Sequence, residues 1–167
     1  MSQCKNCLRG GSNVSLDSIG VCAHCSMLVF ENIDLHRREI GHFIELVDDG
    51  QSVSSTLRAC REATKQAVRL VEYEIKGIPT GDPAASEIIN HCEGVKERVL
   101  EETLDTIVKN GLTLSEAAGT PEMKKRAIRF ALLQLSLFYD ENNISEQNSE
   151  HEKKLSEAIL AINNSIT

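Results

Sequence analysis

The chain of 167 residues contains no tryptophan and only 4% aromatic residues, so its core must be built from aliphatic side chains. No apolar run approaches the roughly 18 residues that a membrane-spanning helix needs. The amino-terminal residues MSQCKNC lack the apolar stretch of a secretory signal peptide. Phosphate-binding glycine loops and nucleophile-elbow motifs are also missing, which gives no sign of an enzyme. We therefore expect a cytoplasmic, non-enzymatic protein.

Basic residues are scarce, and they are spread thinly. The chain carries 18 Lys and Arg against 25 Asp and Glu, a net charge of −7. Binding to a phosphate backbone needs clustered Lys and Arg. The one compact group is Lys124, Lys125, Arg126 and Arg129, and the same helix continues as FALLQLSLF, which is too apolar to lie in a DNA groove. The charge pattern therefore disfavours nucleic acid as the partner.

Four cysteines near the amino terminus carry the strongest chemical signal. Cys4 and Cys7 form one Cys-x-x-Cys pair, and Cys22 and Cys25 form a second pair after a 14-residue spacer. Zinc prefers four tetrahedral ligands, and each Cys-x-x-Cys turn can direct two thiolates at one point. In a reducing cytoplasm such pairs bind metal more often than they form disulfides. The spacing predicts one structural Zn²⁺ held by these four residues.

The two cysteine pairs resemble the knuckles of the four-cysteine zinc-ribbon and treble-clef finger group. The resemblance covers about the first 30 to 45 residues, and a helix directly after Cys25 favours the treble-clef variant. It implies a small finger that serves nucleic-acid binding, protein docking or stapling of the fold. His24, within the second knuckle, could replace a cysteine as ligand, but we expect it to be exposed because four cysteines already satisfy the metal.

The rest of the chain has the apolar periodicity of helices. The predicted boundaries are a helix end near residues 48–50, a Ser52 cap, an end near 76–77, starts at Asp82-Pro83 and Thr120-Pro121, a stop at Asn110-Gly111 and a capping box from Ser149 to Glu152. The fold class is therefore mainly α, a small N-terminal Cys4 zinc finger followed by an antiparallel helical hairpin or small helical bundle. The predicted domains are the finger at 1–30, the hairpin or bundle at 31–140, and a polar linker with a C-terminal helix at 141–167.

One predicted helix also has the spacing of a coiled coil. Apolar or small residues at positions 53–71 recur at alternating intervals of four and three, as they do in a coiled-coil seam. A two-helix hairpin buries little surface by itself. This pattern therefore motivates the hypothesis that the chain forms a homo-oligomer through its helices.

Two other residue groups have an ordinary structural interpretation. Cys60 and Cys92 lie in apolar stripes and are expected to fill the core, and their distances from a turn centred near residue 80 argue against direct contact between them. Glu39 and His42 form a Glu-x-x-His motif of the kind found in di-iron bundles, but the sequence holds no second copy. We expect these two side chains to lie on a solvated helix face.

These observations lead to a ranked set of functional hypotheses. The first is a non-enzymatic zinc-binding interaction or adaptor protein, with the finger as docking head and the helices as scaffold for an unidentified protein partner. The second is a nucleic-acid-associated regulator acting through the finger. The third is a thiol redox switch that releases zinc on oxidation.

Overall fold

The computed structural model describes residues 3–11, 13–145 and 149–165. This part of the chain contains five helices and two isolated β-bridges, so the fold is mainly α as predicted. The helices are α1 (Ala23–Asp49), α2 (Val53–Ile75), α3 (Ala85–Ala117), α4 (Pro121–Asn142) and α5 (Glu150–Asn164). Among the described residues, none of these helices is long and apolar enough to cross a membrane.

Most predicted helix ends are confirmed by their capping contacts. The Ser52 hydroxyl accepts a hydrogen bond from the backbone N–H of Ser55, and Thr120 caps α4 in the same way with Pro121 at its first position. Ser149 accepts from the backbone N–H of Glu152 at the start of α5. At the other end of α1, Gly50 adopts a left-handed conformation with φ of 54°.

The predicted start of α3 at Asp82-Pro83 is wrong. The helix begins at Ala85, and the backbone N–H of Ala85 donates to the Glu74 carboxylate at 2.9 Å. The orphan donor at the start of α3 is thus satisfied by a side chain from the end of α2, not by a local cap. Sequence-local capping rules cannot anticipate a partner from another helix.

The predicted stop at Asn110-Gly111 is also wrong, because α3 continues to Ala117. Gly111 lies where α3 approaches α4, and a methyl group on it would overlap the Ala131 side chain. This glycine therefore permits close helix packing and does not end a helix. A glycine at a close contact between helices and a glycine at a helix end look the same in a sequence.

The chain divides into two compact units, residues 1–99 and 100–167, and the division falls within α3. The sequence-based limits at residues 30 and 140 remain a prediction. Within the first unit, α1 and α2 are joined by residues 50–52 and pack antiparallel. Asn32 on α1 donates to the Tyr73 hydroxyl at 3.3 Å, and the His36 ring pairs with Gln66 at 2.8 Å.

The core of the first unit combines the cysteine segment with the three helices that cross it. Buried members are Cys4, Val21, Cys22, Cys25, Val29, Ile33, Ile40, Val47, Ala59, Cys60, Ala63, Ala67, Leu70, Ile78, Ala85, Ile88, Cys92 and Val95. Two positions of the α2 seam predicted as coiled-coil-like, Cys60 and Ala67, are buried in this core. Val53, at the start of the seam, is exposed. The sequence-based oligomer hypothesis stays a prediction.

The connector between α2 and α3 is held in part by one arginine. Arg37 on α1 donates from Nε to the Thr80 carbonyl at 2.7 Å and from Nη2 to the Pro83 carbonyl at 2.6 Å. Backbone carbonyls of an irregular segment need such partners when the segment is partly buried. The guanidinium therefore sets how α2 passes into α3.

The second unit has its own core, formed by the last part of α3 with α4 and α5. Its buried members are Leu104, Val108, Ile128, Ala131, Leu135, Tyr139 and Leu155. The buried Tyr139 keeps its hydroxyl satisfied by donating to Ser149 Oγ at 2.7 Å.

Candidate metal centre

The four predicted ligands lie together. The Sγ atoms of Cys4, Cys7, Cys22 and Cys25 are all within 4.8 Å of one another, and the Cys7–Cys22 sulfur distance is 3.8 Å. Four sulfurs at about 2.3 Å from a tetrahedral ion would be roughly 3.8 Å apart. All four cysteines are free thiols. This group can therefore hold a metal ion with little further movement.

The first knuckle is shaped by the backbone around Cys4. Its N–H donates to the Arg9 carbonyl and its carbonyl accepts from the Leu8 N–H, both at 2.9 Å, and a β-bridge joins Gln3 to Gly10. Leu8 closes the turn with φ of 61°, a left-handed conformation that is uncommon for a leucine. The tight reversal brings Cys4 and Cys7 to the same side of the turn.

The second knuckle combines a short hairpin with the start of α1. Leu16 and Cys22 form a β-bridge, and Cys22 is the N-cap residue of α1. The N–H of Cys25 then donates to the Cys22 carbonyl at 2.9 Å. The helix begins at Ala23, three residues earlier than the predicted start directly after Cys25, so Cys25 lies in its first turn.

Sequence reasoning missed Asp17, which organises this hairpin. Its Oδ1 accepts from the N–H of Val21 at 2.8 Å and of Ile19 at 3.1 Å, and its Oδ2 accepts from the Ser26 hydroxyl at 3.1 Å. The Val21 hydrogen bond is the main cause of the lowered pKa of Asp17. An aspartate three residues before Gly20 was the available signal, because such residues commonly build turns.

Backbone and side-chain donors also act on the sulfur atoms. Burial opposes ionisation of Cys4, but N–H groups of Cys7, Cys22 and Asn6 outweigh it and lower its pKa to about 6. At Cys25 the Asn6 side chain favours the thiolate, yet burial and the three neighbouring cysteines together raise the pKa to about 11. The unliganded cluster thus favours a thiolate at Cys4 and opposes a second negative charge at Cys25. A divalent cation would offset that repulsion.

The segment that carries the four cysteines, residues 3–11 and 13–25, is here called the metal segment. Side-chain hydrogen bonds join it to the residues that follow α2. The Lys5 ammonium donates to the Gly77 carbonyl at 2.8 Å, and the Lys76 ammonium donates to Asn6 Oδ1 at 3.3 Å. Both contacts lie within the first compact unit. Together with the shared core, they fix the first knuckle against the carboxyl end of α2.

The remaining cysteines are core residues, as predicted, but they do contact each other. Cys60 and Cys92 are both buried. Burial is the main cause that raises the pKa of Cys60 to about 11, and the neighbouring Cys92 thiol is the second cause. Burial likewise raises the pKa of Cys92. The expectation that they would not meet is wrong because the midpoint of their positions is residue 76, where α2 ends, and not residue 80. The folded connector after α2 shifts the helix register.

The other sequence candidates are not members of the cysteine cluster. His24 is exposed, as expected for a residue that four cysteines exclude from the shell. Glu39 and His42 are exposed on α1, consistent with a solvated face.

A second group of ligand-type side chains was not anticipated. The buried His151 directs Nε2 toward the carboxylates of Asp105 at 3.1 Å and Glu101 at 3.6 Å, both on α3 and both exposed. The contact to Asp105 is a hydrogen bond between α5 and α3, which satisfies a buried imidazole. The sequence gives no local signal for it because the partners are 46 or more positions away.

The chain matches no protein-family model, no curated protein and no solved structure. The candidate site therefore rests on its own geometry. Four sulfurs that fill a tetrahedral shell leave no position for a reacting water, which suits a structural metal.

Proposed function

We propose that the chain is a non-enzymatic zinc-binding interaction protein whose Cys4 finger serves as a rigid docking head on a helical scaffold. The four-sulfur cluster carries this proposal, because its spacing suits Zn²⁺ and its shell has no room for substrate. The arrangement of a knuckle, a short hairpin and a helix bearing the last cysteine is the treble-clef order, which supports assignment to that finger group.

Exposed apolar side chains around the metal segment support a protein as the partner. Leu8 lies exposed at the tip of the first knuckle, and Met27, Leu28 and Phe30 are exposed on the first turns of α1. Exposed apolar groups near one end of a module are typical of protein interfaces. A metal that fixes this segment would reduce the entropy lost on docking.

Nucleic acid is the weaker candidate because most of the nearby bases are already engaged. Lys5 donates to the Gly77 carbonyl, Arg37 holds the connector carbonyls, and Arg38 pairs with Asp34 at 3.1 Å. A Zn(Cys)4 centre also adds two formal negative charges. The electrostatic contribution to phosphate binding is therefore small.

Affinity capture with the zinc-loaded full chain tests the proposal. A specific protein partner should be retained by the native chain and lost in a Leu8→Asn, Met27→Gln double variant that still binds zinc. Asparagine tolerates the left-handed conformation at position 8, so the knuckle is preserved. A Leu114→Gln variant in the second unit is the matched control and should retain the partner.

Two results would overturn the docking-head proposal. One is a partner that binds the double variant as well as the native chain. The other is submicromolar affinity for DNA or RNA that falls steeply with added salt. A Cys22→Ser variant shows separately whether capture depends on the metal.

A further inference from the structure

Helix α4 has two apolar faces, and the second unit uses only one of them. Its inner face supplies Ile128, Ala131, Leu135 and Tyr139 to the core. On the opposite side Phe130, Leu133 and Leu137 are 54%, 56% and 53% exposed, and Met123 is exposed as well. This outer row is absent from both buried cores of the described residues.

The outer row has the spacing of a coiled-coil seam. Its exposed members, here called the α4 seam, are Met123, Arg126, Phe130, Leu133, Leu137 and Asp140. They recur at intervals of three, four, three, four and three, the a/d pattern by which one helix packs along another. Helix α4 already packs by its other face. The spacing of this exposed row therefore indicates that a second helix covers it.

We propose that the α4 seam pairs with the α4 seam of a second copy of this chain, with the two helices antiparallel. The charges at the two ends of the seam decide both the partner and the direction. Arg126 lies near the start and Asp140 near the end, with Glu141 beside it. A face with opposite charges at its two ends is self-complementary about a twofold axis, as a symmetric dimer requires.

The antiparallel register follows from the same positions. Placing Phe130 level with Leu133 of the partner subunit also brings Arg126 level with Leu137 of the partner subunit. The guanidinium then lies within one helical turn of Asp140 of the partner subunit, close enough for a long side chain to reach. A parallel pair would instead oppose Arg126 to itself and Asp140 to itself, which is repulsive.

This surface differs from the one that the sequence suggested. The earlier candidate, the seam of α2, buries Cys60 and Ala67 in the core of the first unit, whereas every member of the α4 seam is exposed. The inference is independent of the metal centre and of the docking-head proposal. Its failure would leave both of them standing.

Sedimentation equilibrium of the zinc-loaded full chain tests the dimer. We expect a concentration-dependent monomer–dimer equilibrium, and Leu133→Glu should raise the dissociation constant by about a hundredfold because each dimer would bury two unpaired charges. Leu114→Glu is the matched control, since Leu114 on α3 is also 56% exposed but lies off the seam. Unchanged circular dichroism would show that both variants fold.

Charge exchange tests the direction of the pair. In an antiparallel dimer, Arg126→Glu should weaken association roughly tenfold, and adding Asp140→Arg should restore it. A parallel dimer would gain nothing from the second change. The proposal is overturned if the native chain stays monomeric up to its solubility limit, if Leu133→Glu and Leu114→Glu behave alike, or if the charge exchange fails to restore association.

Discussion

Gly111 on α3 lies so close to Ala131 on α4 that a single added methyl group would overlap the alanine side chain. Small residues at such crossings let helix backbones approach, and close packing is unforgiving of added volume. The contact explains why α3 continues through a glycine that resembles a helix stop.

Gly111→Ala should therefore destabilise the second unit by about 1–3 kcal/mol, since overpacking outweighs the gain of about 1 kcal/mol that alanine brings to a helix interior. Gly94→Ala, on the same helix but with open space around the position, is the matched control and should be neutral or stabilising. Urea unfolding of both variants measures the difference. Equal effects would contradict the close-contact interpretation.

Metal analysis should find one zinc ion per chain. Cys22→Ser should lower the content well below one, because three thiolates close only part of the shell. Chelation should reduce the midpoint of thermal unfolding, since binding energy at a structural site is also folding energy. His151→Gln should leave the zinc content unchanged; a loss of metal in that variant would assign an ion to the group of His151, Asp105 and Glu101.

Asp17→Ala should weaken zinc binding by roughly tenfold, because outer-shell groups that orient ligands contribute on that order. The variant loses three acceptor contacts that shape the hairpin before Cys22. Competition with a zinc-binding dye gives the affinity. Asp34→Ala, which removes only an exposed ion pair with Arg38, should bind zinc as the native chain does.

The paired core thiols make a pH-dependent contribution to stability. Since the pKa of Cys60 is raised to about 11 from an ordinary value of 9.0, the unfolded chain releases this proton first as pH rises. The free energy of unfolding should then fall above about pH 9 and continue to fall toward pH 11. Cys60→Ala should flatten this decline between about pH 9 and 11 in urea unfolding. Parallel curves for the two proteins would exclude the effect.

The structural features that could be predicted from the sequence are those that depend on residues close to one another in the chain. The caps at Ser52 and Thr120 and the clustering of the four cysteines follow from local spacing, and the structure confirms them. The start of α3 could not be predicted, because its capping acceptor is Glu74 on another helix. Contact between Cys60 and Cys92 depends on the register of α2 against α3, which a folded connector sets.

The hydrogen bond from the Lys5 ammonium to the Gly77 carbonyl links residues that are 72 positions apart in the chain. Lys5 lies inside the first cysteine turn, between Cys4 and Cys7. Any rearrangement of that turn when an ion leaves would pull the ammonium away from the carbonyl that follows α2. Metal occupancy would then be communicated to the segment leading into α3. The backbone amides after α2 would serve as spectroscopic reporters of metal occupancy in the neighbouring cysteine cluster.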